Sequence, residues 1–374
     1  MRTRLALRGA LVTVLLAAPA SADDGEQPRE KPFFRGSTLA VDQSVTSETV
    51  GIGKDVQTKD PLFQLWVSLR PRVVAYEDAD QSVAVAARVD AYDELTNSDE
   101  TTNRRQLVWG DVWLTGTYAR TVYREARWST QVTVGPRVLL PTSSVSQANG
   151  VVVTAGGGVG LKQQIPLLGG DYLNRLQVGV AGTYSHPFTG ATTAESSATF
   201  DGRPRTQVDG TADPRTGRND QLTGGYLVDH QLVDMLDTTL QIAPRLSLSL
   251  GVILIHQWKH GSPSSCTNVA IQLGTACAGP SAKNVAPPTY FMSTWLTSSI
   301  DWQVLDVLAL SVGYYDLAGT VALDGTRQSP FWSPQASRFF LTATASLDAI
   351  YEAVRPKPTP RELAGNRGTS TTAP

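Results

Sequence analysis

From about residue 60 to residue 351 apolar side chains recur at every second position, and no long window repeats with the period of a helix. Phe63, Leu65, Val67, Leu69 and Val73 alternate with Gln64, Ser68, Arg70 and Arg72. The same rhythm returns at Val83, Val85, Ala87, Val89 and Ala91, at Val132, Val134, Val138 and Leu140, and at Leu176, Val178 and Val180. Leu246, Leu248, Leu250, Val252 and Leu254, then Phe339, Leu341, Ala343, Ala345 and Leu347, repeat it. Because strand side chains point alternately to opposite faces, each stretch predicts a strand with one apolar and one polar face. Twelve strands are placed at 38–47, 62–77, 82–95, 106–123, 128–141, 151–165, 175–188, 222–242, 246–258, 289–303, 308–320 and 337–351. Ten or fourteen remain open, because 38–47 is weakly patterned and 222–242 alternates poorly.

Soluble sandwiches alternate too, so three further features separate them from a membrane barrel. Connections alternate in length: 48–61, 96–105, 142–150, 189–221, 259–288 and 321–336 are long, whereas 78–81, 124–127, 166–174, 243–245 and 304–307 are short. An even strand number with short turns and both chain ends on one side is the layout of an outer-membrane barrel. Aromatic residues also sit twelve apart on one face of two strands, Tyr290 with Trp302 and Phe339 with Tyr351. On a strand tilted by about 45° this interval covers about 29 Å of depth, close to the ~25 Å apolar band between aromatic girdles. Third, the polar faces carry Ser, Thr, Gly, Gln and charge, groups that cost a few kcal/mol each when buried unpaired and that suit a wet lumen. The fold class expected is all-β, one antiparallel transmembrane barrel over 38–351.

Composition sharpens this picture. The chain has 374 residues, 41% of them hydrophobic, a formal net charge of −2 and a mean hydropathy of −0.15. Beyond the first twenty residues no apolar run is long enough for a membrane-spanning helix. The balance argues against a basic nucleic-acid binder. Residues 1–22 read as a secretory signal: Arg2, Arg4 and Arg8, an apolar stretch from Ala10 to Ala18, then Ala20-Ser21-Ala22. Without those arginines 29 basic residues face 34 acidic ones. Cys266 and Cys277, eleven apart in a segment rich in Ser, Gly, Ala and Pro, are expected to close a surface loop as a disulfide.

With the export signal, the strand and loop layout and the girdles, the chain resembles Gram-negative outer-membrane β-barrel proteins of the porin and transporter kind. The resemblance implies contact with outer-membrane lipid and assembly through the outer-membrane machinery by a last strand ending in an aromatic residue, here Tyr351. The chain departs from that pattern in the 23 residues that follow Tyr351, and 352–374, with Pro356, Pro358 and Pro360, reads as a disordered periplasmic extension. Residues 23–37, with Pro32, Phe33 and Phe34, are expected to form a periplasmic segment or, being long enough to reach into the lumen, a plug.

On the inward parity lie Arg70, Arg72, Arg88, Arg137, Lys162 and Arg175 against Asp90, Asp111, Asp301 and Asp348, a bias towards positive charge that concentrates anions. Trp66, Trp109, Trp113, Trp295, Tyr315 and Phe340 share that parity. The expected function is a passive channel for a small anionic or aromatic solute; a closed barrel that displays its surface loops is the rival, and an outer-membrane lipid hydrolase a further one. No cofactor, metal site or catalytic set is expected. Gly51-Ile52-Gly53-Lys54 lacks the first Gly and the final Ser or Thr of a phosphate loop, and Gly156, Gly157, Gly158 and Gly160 sit inside a strand with no following helix. His256 could meet Thr294 or Ser298 on the next strand, whereas Ser185 and His186, being adjacent, face opposite ways. If the signal reading holds, intact-mass analysis of exported protein gives a chain that starts at Asp23.

Overall fold

A computed structural model describes residues 32–47, 62–96, 107–125, 127–167, 172–190, 227–260, 290–319, 329–332 and 337–355. Cys266 and Cys277, residues 1–31 and residues 356–374 lie outside the described residues. The strands are β1 (Thr38–Thr46), β2 (Phe63–Arg70), β3 (Arg72–Glu77), β4 (Gln81–Glu94), β5 (Leu107–Trp109), β6 (Val112–Glu125) and β7 (Trp128–Leu140). After helix α1 (Ser144–Ala148) follow β8 (Val151–Pro166), β9 (Arg175–Thr189), β10 (Val228–Ala243), β11 (Leu246–Lys259), β12 (Tyr290–Leu305), β13 (Leu308–Gly319) and β14 (Arg338–Ser346), and then helix α2 (Leu347–Val354). No helix among these residues is long and apolar enough to cross a membrane.

All strands join one antiparallel sheet in which sequence neighbours are spatial neighbours. β2 and β3 are two halves of one crossing interrupted at Pro71, which lacks an N–H but still accepts the Ala87 amide at 2.9 Å. β5 and β6 are likewise halves of one crossing, broken at Gly110-Asp111. The sheet closes where β1 pairs with β14 in a continuous register from Thr38↔Ser346 to Thr46↔Arg338, and β2 pairs with both β1 and β4. The result is a closed twelve-stranded antiparallel barrel.

Registers assign the two faces. Val85, Val134, Val159, Val180, Leu250, Ile300 and Val312 are exposed on the outside, while Gln64, Ser68, Asp90, Asp237 and Asp301 are buried on the inside. This inverts the arrangement of a water-soluble protein, and it is stable only where the outer solvent is hydrocarbon. Tyr184, Trp258 and Tyr290 ring the long-loop end of the outer face, and Trp128 and Trp302 ring the short-turn end. Trp302 and Tyr290 thus occupy opposite girdles of one strand.

Two elements at the short-turn end depart from the sequence expectation. The last strand stops at Ser346, and Tyr351 lies on α2, where its ring meets Phe34 at 5.3 Å. It therefore does not share a strand face with Phe339. Leu347, Ile350, Tyr351 and Val354 recur at helical spacing, and Asp348, expected inside the lumen, accepts hydrogen bonds from the Gly36 amide and Ser346 Oγ in the first turn. Residues 32–37 do not plug the lumen. The Val74 amide donates to the Phe33 carbonyl and the Arg72 amide to Ser37 Oγ, so this segment covers the edge of β3 that β1 is too short to reach. Arg35 pairs with Glu77 across the same edge.

In the β3–β4 turn Asp78 accepts from the Asp80 and Gln81 amides, Gln81 Nε2 and the Tyr76 hydroxyl. These donors, the Tyr76 hydroxyl first, hold its carboxyl well below the usual carboxylate range, so the turn keeps its charged form down to strongly acidic pH and loses this support only below that.

Neighbouring strands approach closely at Gly135 of β7 and Gly156 of β8. A Cβ on Gly156 would stand 2.1 Å from the Tyr184 carbonyl oxygen of β9. Gly156→Val is accordingly expected to destabilise the barrel by more than the ~1–3 kcal/mol of ordinary overpacking, because backbone rather than a side chain must give way. The measurement is the yield of heat-modifiable, folded protein on refolding.

Candidate lumen site

The inward parity brings most of the expected residues to one interior, although unequally. On the wall formed by β2, β4, β6 and β7, Arg88 makes a two-point ion pair with Asp90 on its own strand, Nε to Oδ1 at 3.0 Å and Nη2 to Oδ2 at 2.7 Å. The two positions are adjacent on one strand face, which is why a single strand can build the pair. Arg70, one strand away, donates to Ser68 Oγ at 3.1 Å and interacts electrostatically with both members. Arg137 lays its guanidinium 3.6 Å from the ring centre of Trp113, and it too interacts with Arg88. A cation over an aromatic face contributes about 0.5–2 kcal/mol and leaves the guanidinium edge free to donate.

Further round the wall Lys162 on β8 faces Asp237 on β10, whose carboxylate occupies the space that a side chain at Gly179 would fill, 2.3 Å from the Cβ position. Arg175 donates to Gln241 Oε1 at 2.6 Å. Arg72 lies at the short-turn rim, where its Nη1 donates to the Arg35 carbonyl. Opposite, Asp301 on β12 accepts from Ser249 Oγ at 2.7 Å and from Ser299 Oγ, whereas Asp42 sits on β1, register partner of Trp66 on β2, and accepts from Thr342 Oγ1 at 2.5 Å across the closing seam. Arg338 donates to Gln64 Oε1 at 2.7 Å.

The inward aromatics form two groups. Trp66 stacks on Tyr92 with centroids 5.3 Å apart, on the arginine side. Trp295, Tyr315 and Phe340 follow one another at 5.7 and 5.9 Å on β12, β13 and β14. They continue into an apolar cluster of Val233, Ile253 and Ile255, against which Met235, Phe291 and Leu317 pack. The lumen thus has a cationic wall, a hydroxyl-bearing patch around Asp301 on β11 and β12, and an apolar sector towards the long-loop end of β10 to β13.

Besides Asp348, two expected lumen residues stand elsewhere. Trp109 is on the outer face, 58% exposed and paired with the outward Ala91, because the break at Gly110-Asp111 inverts the alternation between Trp109 and Trp113. Asp111 itself anchors α1: it accepts the Ser143 amide at 2.9 Å and Ser146 Oγ at 2.5 Å, beside the Ser143 side chain that caps the helix. Asp42, Asp237 and Arg338, in turn, escaped the sequence reading. Parity within their strands could have found the first and last, but β10 mixes apolar and polar residues on both faces. His256 turns to Tyr290 and Asp234 on the outer face, with Nδ1 2.7 Å from the tyrosine oxygen, rather than to Thr294 or Ser298.

No protein-family model matches the chain, and no curated protein matches it in sequence. Solved structures similar to it include an outer membrane channel from Pseudomonas putida F1, at 13% identity over 87% of this chain and 99% of that one, with a TM-score of 0.47. The NanC porin aligns at 7% identity over 83% and 98% of the two chains, with a TM-score of 0.35. Outer membrane phospholipase A from Escherichia coli aligns at 12% identity over 84% and 98%, with a TM-score of 0.36. Closed on itself, apolar outside and polar inside, the chain has the fold of a transmembrane β-barrel.

Proposed function

We propose that the barrel is a passive outer-membrane channel for small anions that carry an apolar or aromatic part. What supports this reading is the make-up of the lumen: Arg70, Arg88 and Arg137 cluster on one wall, and Trp295, Tyr315 and Phe340 line another sector on β12 to β14. The cationic cluster attracts the anionic group of a solute. Guanidinium groups bind carboxylate and phosphate by paired N–H donors, and weak binding at several such points lets a solute enter and leave. The aromatic sector receives the apolar part of the solute by dispersion and stacking.

Planar-bilayer recording with a salt gradient tests the channel. Purified protein is expected to open with a reversal potential that favours anions, and absence of any opening, with or without the segment before residue 38, would sink the reading. Replacing Arg70, Arg88 and Arg137 together by Ala is expected to lower the anion-to-cation permeability ratio several-fold while openings persist. With benzoate as the probe, Tyr315→Ala is expected to weaken block of the chloride current about fivefold, in keeping with the ~1 kcal/mol of one aromatic contact, and to leave chloride conductance in the absence of benzoate little changed.

A further inference from the structure

The chain holds four histidines, and the fold brings three of them to one carboxylate on its outer surface. His186 lies on β9, Asp229 and His230 open β10, and His260 directly follows β11, so the three neighbouring strands meet at their long-loop ends. His230 Nε2 is 3.3 Å from Asp229 Oδ2, His186 Nδ1 is 3.5 Å from Asp229 Oδ1, and His260 Nε2 is 4.0 Å from the same oxygen. One donor atom from each of His186, Asp229 and His230 falls within 4.8 Å of the others.

Local backbone geometry explains the convergence. Strict alternation would send Asp229 to the opposite face from His230. The β10–β11 register slips between Val228 and His230, a bulge at Asp229 that re-aims its carboxylate to the outer side. His186 and His260 reach that side by ordinary parity, as neighbours of the outward Tyr184 and Trp258. The His260 amide donates to the Leu227 carbonyl at 3.0 Å, which fixes its approach, while its Nε2 is shut off from solvent without a hydrogen-bond partner.

We propose that His186, Asp229, His230 and His260 form a binding site for a divalent transition-metal ion of the Zn(II) kind on the outer rim of the barrel. Four donors at ~2.0–2.2 Å around a tetrahedral ion stand about 3.4 Å from one another. The imidazoles are 3.3–4.0 Å from the Asp229 carboxylate, donors of His186, Asp229 and His230 lie within 4.8 Å, and the ion draws them together with His260 as the outermost ligand. Three imidazoles and one carboxylate suit zinc, whereas calcium and magnesium take oxygen donors in larger number. The surroundings are those of a ligand shell. The Tyr184 hydroxyl lies 2.6 Å from His230 Nδ1, so this nitrogen can donate to the phenol and leave Nε2 as the ligand, while His186 Nδ1, the nitrogen nearest the carboxylate, exchanges its 2.7 Å contact with the Asp229 carbonyl for the ion. Phe188 covers the His186 ring edge-on at 4.6 Å. A bound ion ties together the outer ends of β9, β10 and β11.

The test uses the full, tag-free barrel in detergent, stripped with a chelator and titrated calorimetrically with Zn(II), with Co(II) absorption as the report of geometry. Expected are one Zn(II) per chain, a tetrahedral Co(II) spectrum, a raised temperature of heat modification on adding Zn(II), and no competition from Mg(II). Asp229→Asn and the double variant His186→Ala with His230→Ala are each expected to weaken Zn(II) by at least ~100-fold, and Tyr184→Phe by ~10–100-fold. His256→Ala, which lies in the separate pair with Asp234, is expected to bind as the parent does. Wild-type protein that takes up no Zn(II), an octahedral Co(II) spectrum, or folded Asp229→Asn that binds as tightly as wild type would each overturn the assignment.

Discussion

Everything in this molecule depends on the pairing of β1 with β14. In hydrocarbon a strand edge has no water to satisfy its amides and carbonyls, and each orphan group costs several kcal/mol, so a sheet survives there only when its ends meet. The seam joins residues about 300 positions apart, Asp42 with Thr342 among them, while every other wall pairing is between sequence neighbours or near neighbours. The meander can therefore zip up locally, hairpin by hairpin, but the seam alone bears the full entropy of closing the chain. The segment 32–37 serves the same end at β3, whose free edge it covers.

Once the wall is closed, alternation gives the protein two surfaces with contrary rules. The outer one must be apolar throughout the band, and it tolerates histidine, aspartate and tyrosine at the long-loop rim. The inner one is free to carry charge, and it gives each charge a partner. Arg88 and Asp90 neutralise each other at close range, whereas Arg70 and Arg137 are held by a hydroxyl and an indole face. Buried groups of this kind are stable because each has a partner, not because each has a counter-ion.

Period-two alternation made most of the wall legible: 128–141, 175–188 and 246–258 in the sequence correspond to Trp128–Leu140, Arg175–Thr189 and Leu246–Lys259 in the structure. It failed where a local feature suspends the rule. Ala343, Ala345 and Leu347 prolong the alternation of β14 into a helix, and Phe339 and Tyr351 then keep a girdle interval only in sequence. At Gly110-Asp111 the chain leaves the extended conformation, so counting by twos across it put Trp109 on the wrong face. β10 alternates poorly because Val233 and Met235 face an apolar sector inside, while Asp234 turns outward to His256. The cationic wall lay on intact strands, and parity therefore found most of it; the histidine convergence needed a bulge that no sequence period announces.

The inner faces of β7, β8 and β9 carry Gly135, Gly156, Gly158, Gly160 and Gly179, a run of positions with no side chain. Elsewhere the interior is occupied by indoles, guanidiniums and tyrosines. The space beside these glycines is taken by neighbours: the Asp237 carboxylate stands where a side chain at Gly179 would be, the Thr133 and Thr183 hydroxyls where those at Gly160 and Gly158 would be, and strand backbone fills the places at Gly135 and Gly156. The glycines thus let adjacent strands coil closely and seat hydroxyl and carboxylate groups flat against the wall, so a larger residue at any of these positions would have to push a neighbour out into the lumen.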